Sequence, residues 1–322
     1  MFSNEAIMYQ ALIIGCGNIG AMYDFDSKSV LTYAKAFHLD PEIEFEVYDI
    51  DPIASQKIAA KYDVQSIREL TPDTFKNYDI VVICTPTGTH HEYLSAMLGQ
   101  GGVQLVICEK PVDSSRKRLN LLLELYAQSE TKVMVNFFRR FQPGTLRLKA
   151  RIESIQQEER CTNIVITYQR GFHNNASHAI DLLEFLFSSL IDFNEMIINY
   201  CAFDEFDIDP TISLSGNWNG TNLQFVGLAQ VEFSHFEIAI YFPKRALLLK
   251  DGANIIEEYS VQPKSGNYYP KLSLLDRQTG MLDDYMTNGA SHAKVLLKVK
   301  ESRDNFQESV HISERILKLL GC

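Results

Sequence analysis

Three glycines, Gly15, Gly17 and Gly20, follow the apolar run Tyr9 to Ile14 at the spacing G-x-G-x-x-G. Glycines so spaced after a strand can hold a pyrophosphate. Gly15 permits the tight turn out of the strand, Gly17 presents no side chain to an approaching phosphate, and Gly20 lets the next helix lie close to the sheet. Asn18 and Ile19 complete the loop, and the helix N-terminus beyond offers unpaired N–H groups and partial positive charge. A bare glycine pattern also occurs in ordinary turns. Here an acid follows the next strand: Asp49 ends the alternating stretch Glu44 to Asp49, 29 residues past Gly20 where ~20 is usual. A carboxylate there can accept both ribose hydroxyls of an adenosine and would repel a 2′-phosphate. Asp49-Ile50 without a nearby Arg therefore favours NAD over NADP. Asp51-Pro52 reads as a helix start, with Asp51 as its N-cap.

The surrounding elements must place these residues on one edge of a sheet. Tyr9 to Ile14 is a buried strand. The polar stretch Ala21 to Val30 reads as a short helix start followed by an inserted loop, either a surface excursion or a flap near the ligand mouth. Helical spacing runs from Leu31 to Leu39, Ile53 to Tyr62, Glu92 to Leu98 and Leu119 to Gln128. Strands alternate with these helices at Asp79 to Cys84, Val103 to Cys108 and Lys132 to Asn136. This alternation predicts an α/β domain, a doubly wound parallel sheet with right-handed crossovers. Thr85, Pro86 and His90 lie in the turn after one strand, at the edge where such sheets bind ligands. His90 and its neighbour His91 read either as cofactor-loop contacts or as plain polar loop residues.

From about residue 137 the pattern changes. A basic helix, Thr145 to Ile155, precedes strands at Asn163 to Gln169, Met196 to Ala202, Thr211 to Trp218, Asn222 to Val226, Ala229 to Phe242 and Ala246 to Lys250. Consecutive strands favour an antiparallel sheet. Helices are expected at Ser177 to Ser188, Met281 to Val299 and Val310 to Leu320. The division is residues 1–136 for dinucleotide binding and 137–322 for substrate binding and oligomerisation, with the C-terminal helix packing back on the first domain.

Composition narrows the function classes. The 322 residues are 46% apolar and 22% charged, with a formal charge of −11. Such acidity disfavours nucleic acid as a partner. Six cysteines without C-x-x-C spacing indicate neither zinc nor a redox pair and read as reduced thiols of a cytoplasmic protein. No metal-ligand spacing appears. Met1 to Gln10 has neither the basic nor the apolar part of a signal peptide, and no apolar run reaches the ~18 residues of a membrane span.

Four signals occur in order: Gly15-x-Gly17-x-x-Gly20, Thr85-Pro86-Thr87-x-x-His90, Glu109-Lys110-Pro111, and His178-Ala-Ile-Asp181 opening a helix. Together they resemble the Gfo/Idh/MocA family of NAD(P)-dependent oxidoreductases, and Asn136-Phe-Phe-Arg139-Arg140-Phe141 resembles the family's segment after the last dinucleotide-domain strand. The resemblance implies a Rossmann domain plus an α+β domain with an open, mainly antiparallel sheet that often mediates homodimers or homotetramers. It implies a nicotinamide cofactor, NAD or NADP, of which Asp49 favours NAD, and a carbohydrate-like substrate: a sugar, inositol, sugar acid or nucleotide sugar. By the same resemblance, Glu109 and Lys110 sit beside the nicotinamide, Lys110 contacts the substrate hydroxyl, the peptide before Pro111 is often cis, and His178 is the catalytic histidine.

The implied chemistry is alcohol oxidation or its reverse. His178 would take the hydroxyl proton near neutral pH, and Lys110 would polarise the oxygen. Asp181, one turn after His178, is either a structural carboxylate or part of the site. Arg139 and Arg140 could orient an anionic substrate, although one of them is expected in a structural ion pair. The family usually has Asp four residues before the histidine, where this chain has Asn174, a residue that hydrogen-bonds but takes no proton. His173 is the candidate replacement in that relay. Asn174 also motivates a rival: a dinucleotide-binding sensor without turnover. A third reading has tightly held NAD recycled internally.

Overall fold

The computed structural model describes residues 8–262 and 270–321. Most of the stretch read as lacking a signal peptide, and Cys322, lie outside the described residues. The chain divides into two compact units, the first running to Phe138 and including Asp284–Glu314, the second comprising Arg139–Asp283 and Arg315–Gly321.

The first unit carries a five-stranded sheet of β1 Tyr9–Ile14, β2 Ile43–Tyr48, β3 Ile80–Ile83, β4 Leu105–Cys108 and β5 Lys132–Val135. Its order is β2-β1-β3-β4-β5 and every pair is parallel. The interior strands are buried on both faces, with β3 and β4 wholly enclosed, which is why they read as unbroken apolar runs. Helices α1 Tyr33–Leu39, α2 Pro52–Tyr62, α3 Thr87–Gln100 and α4 Arg116–Tyr126 link the strands. The chain order reverses between β1 and β3, which opens a crevice at their carboxyl ends. The outer edge of β5 is covered by side chains: Asn305 exchanges hydrogen bonds with the Val135 backbone (2.8 and 2.9 Å), and Asp304 accepts from Val133 N–H at 2.9 Å. Covering this edge keeps its free backbone groups from pairing with another chain.

The inserted loop before α1 is a compact turn organised by Asp24. Its carboxylate is buried and accepts from Leu31 N–H, Thr32 N–H and Thr32 Oγ1 at 2.6–2.9 Å. α3 begins at Thr87, five residues before the expected Glu92, so His90 and His91 are helical and not in a turn. Asp51 caps α2 as its position foretold, accepting from Ile53 N–H at 2.9 Å.

The second unit carries α5 Pro143–Gln156, α6 Ser177–Phe187 and eight strands: β6 Asn163–Tyr168, β7 Met196–Ala202, β8 Thr211–Trp218, β9 Thr221–Gly227, β10 Phe236–Tyr241, β11 Arg245–Lys250, β12 Ile255–Val261 and β13 Leu272–Gln278. The order is β13-β12-β11-β10-β6-β9-β8-β7, antiparallel except for the central β6–β9 pair. That pair is parallel because α6, β7 and β8 intervene and bring the chain back to the starting end. The long strand expected over Ala229 to Phe242 begins only at Phe236. Gln230 has a positive φ of 59°, incompatible with an extended run. β12 and β13 escape the sequence reading. β12 carries adjacent Glu257 and Glu258, both buried. Glu257 meets Lys250 (2.8 Å) from the neighbouring strand and Glu258 meets Arg151 of α5 (2.5 Å), so each carboxylate has a cation where a strand would otherwise reject it.

Candidate active site

The carboxyl edge of the first sheet gathers most of the sequence-identified residues of that unit. After β1 the chain turns at Gly15 (φ 98°), and a side-chain carbon there would lie 2.8 Å from the Cys84 carbonyl group. At Gly20 an added carbon would strike the Gly15 carbonyl oxygen, whereas at Gly17 it would meet no atom within 4 Å. Two glycines are thus required by the protein's own packing, and the third faces open space. Asn18–Met22 forms a π-helical turn in which Ala21 and Met22 donate to the Gly17 carbonyl at 2.9 and 3.0 Å. The N–H groups of Asn18, Ile19 and Gly20 stand ahead of that ladder, available to an anion.

Asp49 follows β2 immediately. Its carboxylate accepts from Cys16 N–H at 2.7 Å and from Asp51 N–H at 2.9 Å, which ties the acid to the glycine loop. Burial, with Asp49 nearby, pushes the Cys16 thiol up to about 12, so it stays protonated. A cleft of about 210 Å³ opens here, lined by Gly15, Gly17, Asp49, Ile50, Thr85, Pro86 and Tyr93 among others. Ile50 is 91% exposed, an apolar surface beside the ribose-type carboxylate. A larger notch of about 700 Å³ lies at the amino ends of β4 and β5. In parallel sheets the ligand edge is the carboxyl one, so position and not volume selects the smaller cleft.

His90 joins the two strand-end loops beside this cleft. It is buried, with Nε2 2.8 Å from the Thr85 carbonyl oxygen and Nδ1 3.1 Å from that of Pro111. Burial lowers its pKa against the pull of these carbonyls. The Lys110–Pro111 peptide is cis. Beyond it Asp113, fully buried, accepts from Ser115 N–H at 2.7 Å and pairs with Arg118 at 2.9 Å, which pins the segment behind Lys110. Glu109 accepts from the Asn136 amide at 2.6 Å. Its carboxyl is densely surrounded by protein, and that desolvation raises its pKa from the ordinary 4.5, while Asn136 and Lys110 pull the other way.

In the second unit His178 is the second residue of α6 and is buried. Asp181, one turn on, is held by Arg140 through Nη2 (2.8 Å) and Nε (3.2 Å), the ion pair expected of one of the two arginines. Arg139 donates from Nε to the Gly252 carbonyl at 2.7 Å and stacks over Phe236, 4.3 Å from the ring centre. Both contacts lie within the second unit. Asn174 donates its amide to the Arg170 carbonyl at 3.2 Å. Sequence reading missed Asp209, whose carboxylate binds the backbone of His173 and Asn174. No spacing rule connects residues 35 positions apart, so no signal was available for it.

Among the described residues no group of three or more His, Cys, Asp or Glu is arranged to hold a metal ion, and no helix is long and apolar enough to cross a membrane.

Comparison with known proteins adds identity to this geometry. Residues 9–137 match the Gfo/Idh/MocA pattern, described as "Oxidoreductase family, NAD-binding Rossmann fold". An inositol 2-dehydrogenase of Rhizobium meliloti (strain 1021) is 31% identical over 143 residues, and a myo-inositol dehydrogenase, Hyg17, of Streptomyces leeuwenhoekii is 29% identical over 145 residues. The matched stretches span 44% and 43% of this chain and 39% of each relative. Over nearly the whole chain the fold is similar to a myo-inositol dehydrogenase of Corynebacterium glutamicum ATCC 13032 (TM-score 0.71, 16% identity, 96% of this chain and 95% of that one). It is equally similar to a UDP-N-acetylglucosamine 3-dehydrogenase of Acidithiobacillus ferrooxidans (TM-score 0.71, 15% identity, 98% and 96%). The glycine loop, the strand-end acid and the strand-end triplet Glu109-Lys110-Pro111 all fall inside the segment, residues 9–137, that matches the Gfo/Idh/MocA oxidoreductase family with its NAD-binding Rossmann fold.

Proposed function

We propose that the protein is an NAD-dependent oxidoreductase acting on a carbohydrate-like alcohol or its ketone, an inositol or a sugar derivative. The observation that carries this reading is the glycine loop: its packing demands glycine at positions 15 and 20 and leaves position 17 open. The family match over the same residues supports it, as do the inositol dehydrogenases among the relatives. Gly15, Gly17, Asn18, Ile19 and Gly20 would hold the pyrophosphate, Asp49 the ribose, and Thr85 and Pro86 the neighbouring wall, which His90 braces from behind through the Thr85 and Pro111 carbonyls. Asp49 supports NAD over NADP, since a 2′-phosphate would meet its negative charge. When bound, the nicotinamide supplies the hydride acceptor or donor. Lys110 polarises the substrate oxygen from Nζ, the His178 imidazole takes its proton, and Asn174 contacts the substrate. The free buried thiols Cys16, Cys84, Cys108 and Cys161 fit a reducing cytoplasm. Exposed apolar side chains on the edge strands, Ile197 and Tyr200 of β7 and Leu274 and Leu275 of β13, support association of copies through the second sheet.

The test is a fluorescence titration with NADH and NADPH, followed by turnover assays on inositols, sugars, sugar acids and nucleotide sugars. NADH should bind more tightly than NADPH, and one substrate class should turn over. Lys110→Ala should then lower kcat by about 100-fold or more and leave NADH affinity nearly unchanged. Binding without turnover on any class would replace the enzyme with a dinucleotide sensor. Failure to bind either cofactor would overturn the reading of the loop.

A further inference from the structure

Four consecutive backbone N–H groups ahead of α6 are filled by one short segment of the same unit. Gly171 donates to Thr211 Oγ1 at 3.0 Å and Phe172 to the Pro210 carbonyl at 2.9 Å. His173 and Asn174 donate to Asp209, to Oδ1 at 2.8 Å and Oδ2 at 2.7 Å. Such groups have no partner inside a helix and are ordinarily left to water, a cap or a ligand. Here residues 209–211 close them all, with a carboxylate over the two nearest the helix.

The backbone is shaped to admit that carboxylate. Gly171 has φ 80°, and a side-chain carbon there would overlap the Asp209 carboxyl group. The segment carrying Asp209 is itself anchored: Thr211 Oγ1 donates to Asp204 Oδ1 at 3.0 Å, and Asp204 Oδ2 accepts from Gln230 N–H at 3.2 Å. On the other side, Asn174 and Asn175 donate their amides to the carbonyls of Arg170 (3.2 Å) and Gln169 (2.7 Å). The turn Phe172–Ala176 then runs into α6 without a break, since Ala176 and Ser177 both have helical backbone angles. A shift at His173 or Asn174 is therefore transmitted to His178 one turn later.

We propose that Asp209 is a positioning residue for His178: its carboxylate is an internal anion that closes the turn leading into α6 and so fixes where the His178 imidazole stands. The assignment rests on the functional reading above in taking His178 as the working base. Hydrogen bonds to an ionised carboxylate are stronger than those to a neutral amide. An Asn at 209 would offer one acceptor oxygen and turn an amide N–H₂ against the other backbone N–H.

The experiment compares Asp209→Asn and Asp209→Glu with the unaltered full chain by three readouts. These are the His178 ring signal in a proton–carbon NMR spectrum (assigned with His178→Gln), amide exchange over residues 171–178, and kcat with NADH affinity. Asp209→Asn should displace the His178 signal, speed exchange over 171–178 by about tenfold or more, and lower kcat without weakening NADH. Asp209→Glu, which keeps the charge and moves it by one methylene, should recover part of each. An unmoved His178 signal with unchanged exchange in Asp209→Asn overturns the proposal. If Asp209→Asn loosens the whole unit, Asp209→Glu decides: a displaced His178 signal supports the proposal and an unmoved one overturns it. Absence of turnover on every substrate would overturn the oxidoreductase reading alone, because the ring signal and the exchange need no substrate.

Discussion

Asn18–Met22 and Phe172–Ala176 are both five-residue π-helical turns; the first is entered from Gly17 at φ −77°, shortly after Gly15 at φ 98°, and the second directly from Gly171 at φ 80°. In the first, the leading N–H groups stand open beside a glycine with nothing within 4 Å of its missing side chain. In the second, four leading N–H groups are filled by Asp209, Pro210 and Thr211. The leading donors border an open glycine in one unit and meet an internal carboxylate in the other. A π turn is thus a way to present backbone donors. What occupies them decides whether the turn binds a ligand or stabilises a side chain beyond it.

The comparison can be broken most sharply at the glycines. Gly20→Ala drives a carbon into the Gly15 carbonyl oxygen, and backbone cannot yield as a side-chain tip can. It should cost about 3 kcal/mol in denaturant unfolding and abolish NADH binding. Gly17→Ala meets nothing and should leave stability within about 0.5 kcal/mol while weakening NADH by about tenfold or more. Loss of stability in Gly17→Ala, or tight NADH binding in Gly20→Ala, would remove the distinction between a glycine needed for packing and one needed for the ligand.

Gly171→Ala probes the plugged turn. Positive φ and collision with the Asp209 carboxyl act together, and a loss of about 2 kcal/mol is expected. NADH affinity should be unaffected, the reverse of the Gly17→Ala pattern.

The smallest effect is a pH dependence at the open edge. The Glu109 carboxyl is raised from 4.5 in the folded protein by burial. A raised carboxyl contributes stability that is fully present below 4.5 and is lost as pH rises through the folded value. Glu109→Gln has no proton to lose, so its stability relative to the unaltered protein should improve steadily as pH rises above 4.5. A constant difference from acid to neutral pH would show that the carboxyl is no more desolvated in the folded chain than in the unfolded one.

Much of this was legible in the residues. The strands of the first sheet are enclosed on both faces, so their apolar runs announced them, and the Gly15, Gly17 and Gly20 spacing fixed where β1 must turn. Asp51 before Pro52 signalled the start of α2 because capping is local. The start of α3 was misplaced because Thr87 to His91 is polar and looks like a turn. His90 is helical and buried there because Thr85 and Pro111, from two different strand ends, meet its ring. β12 was missed because paired glutamates break the apolar pattern, and the cations that compensate them come from β11 and α5.

By itself the sequence determined the alternating first sheet, the glycine loop and the acid after β2, because each depends on periodicity or on local spacing; Lys110 and His178 became candidates only through the resemblance to a family. Only the tertiary structure decided that Gly17 faces space while Gly15 and Gly20 face backbone, that Arg140 is held by Asp181, and that Asp209 closes the turn ahead of His178. Those are contacts between segments far apart in the chain, and their energy comes from packing and electrostatics that no local pattern records.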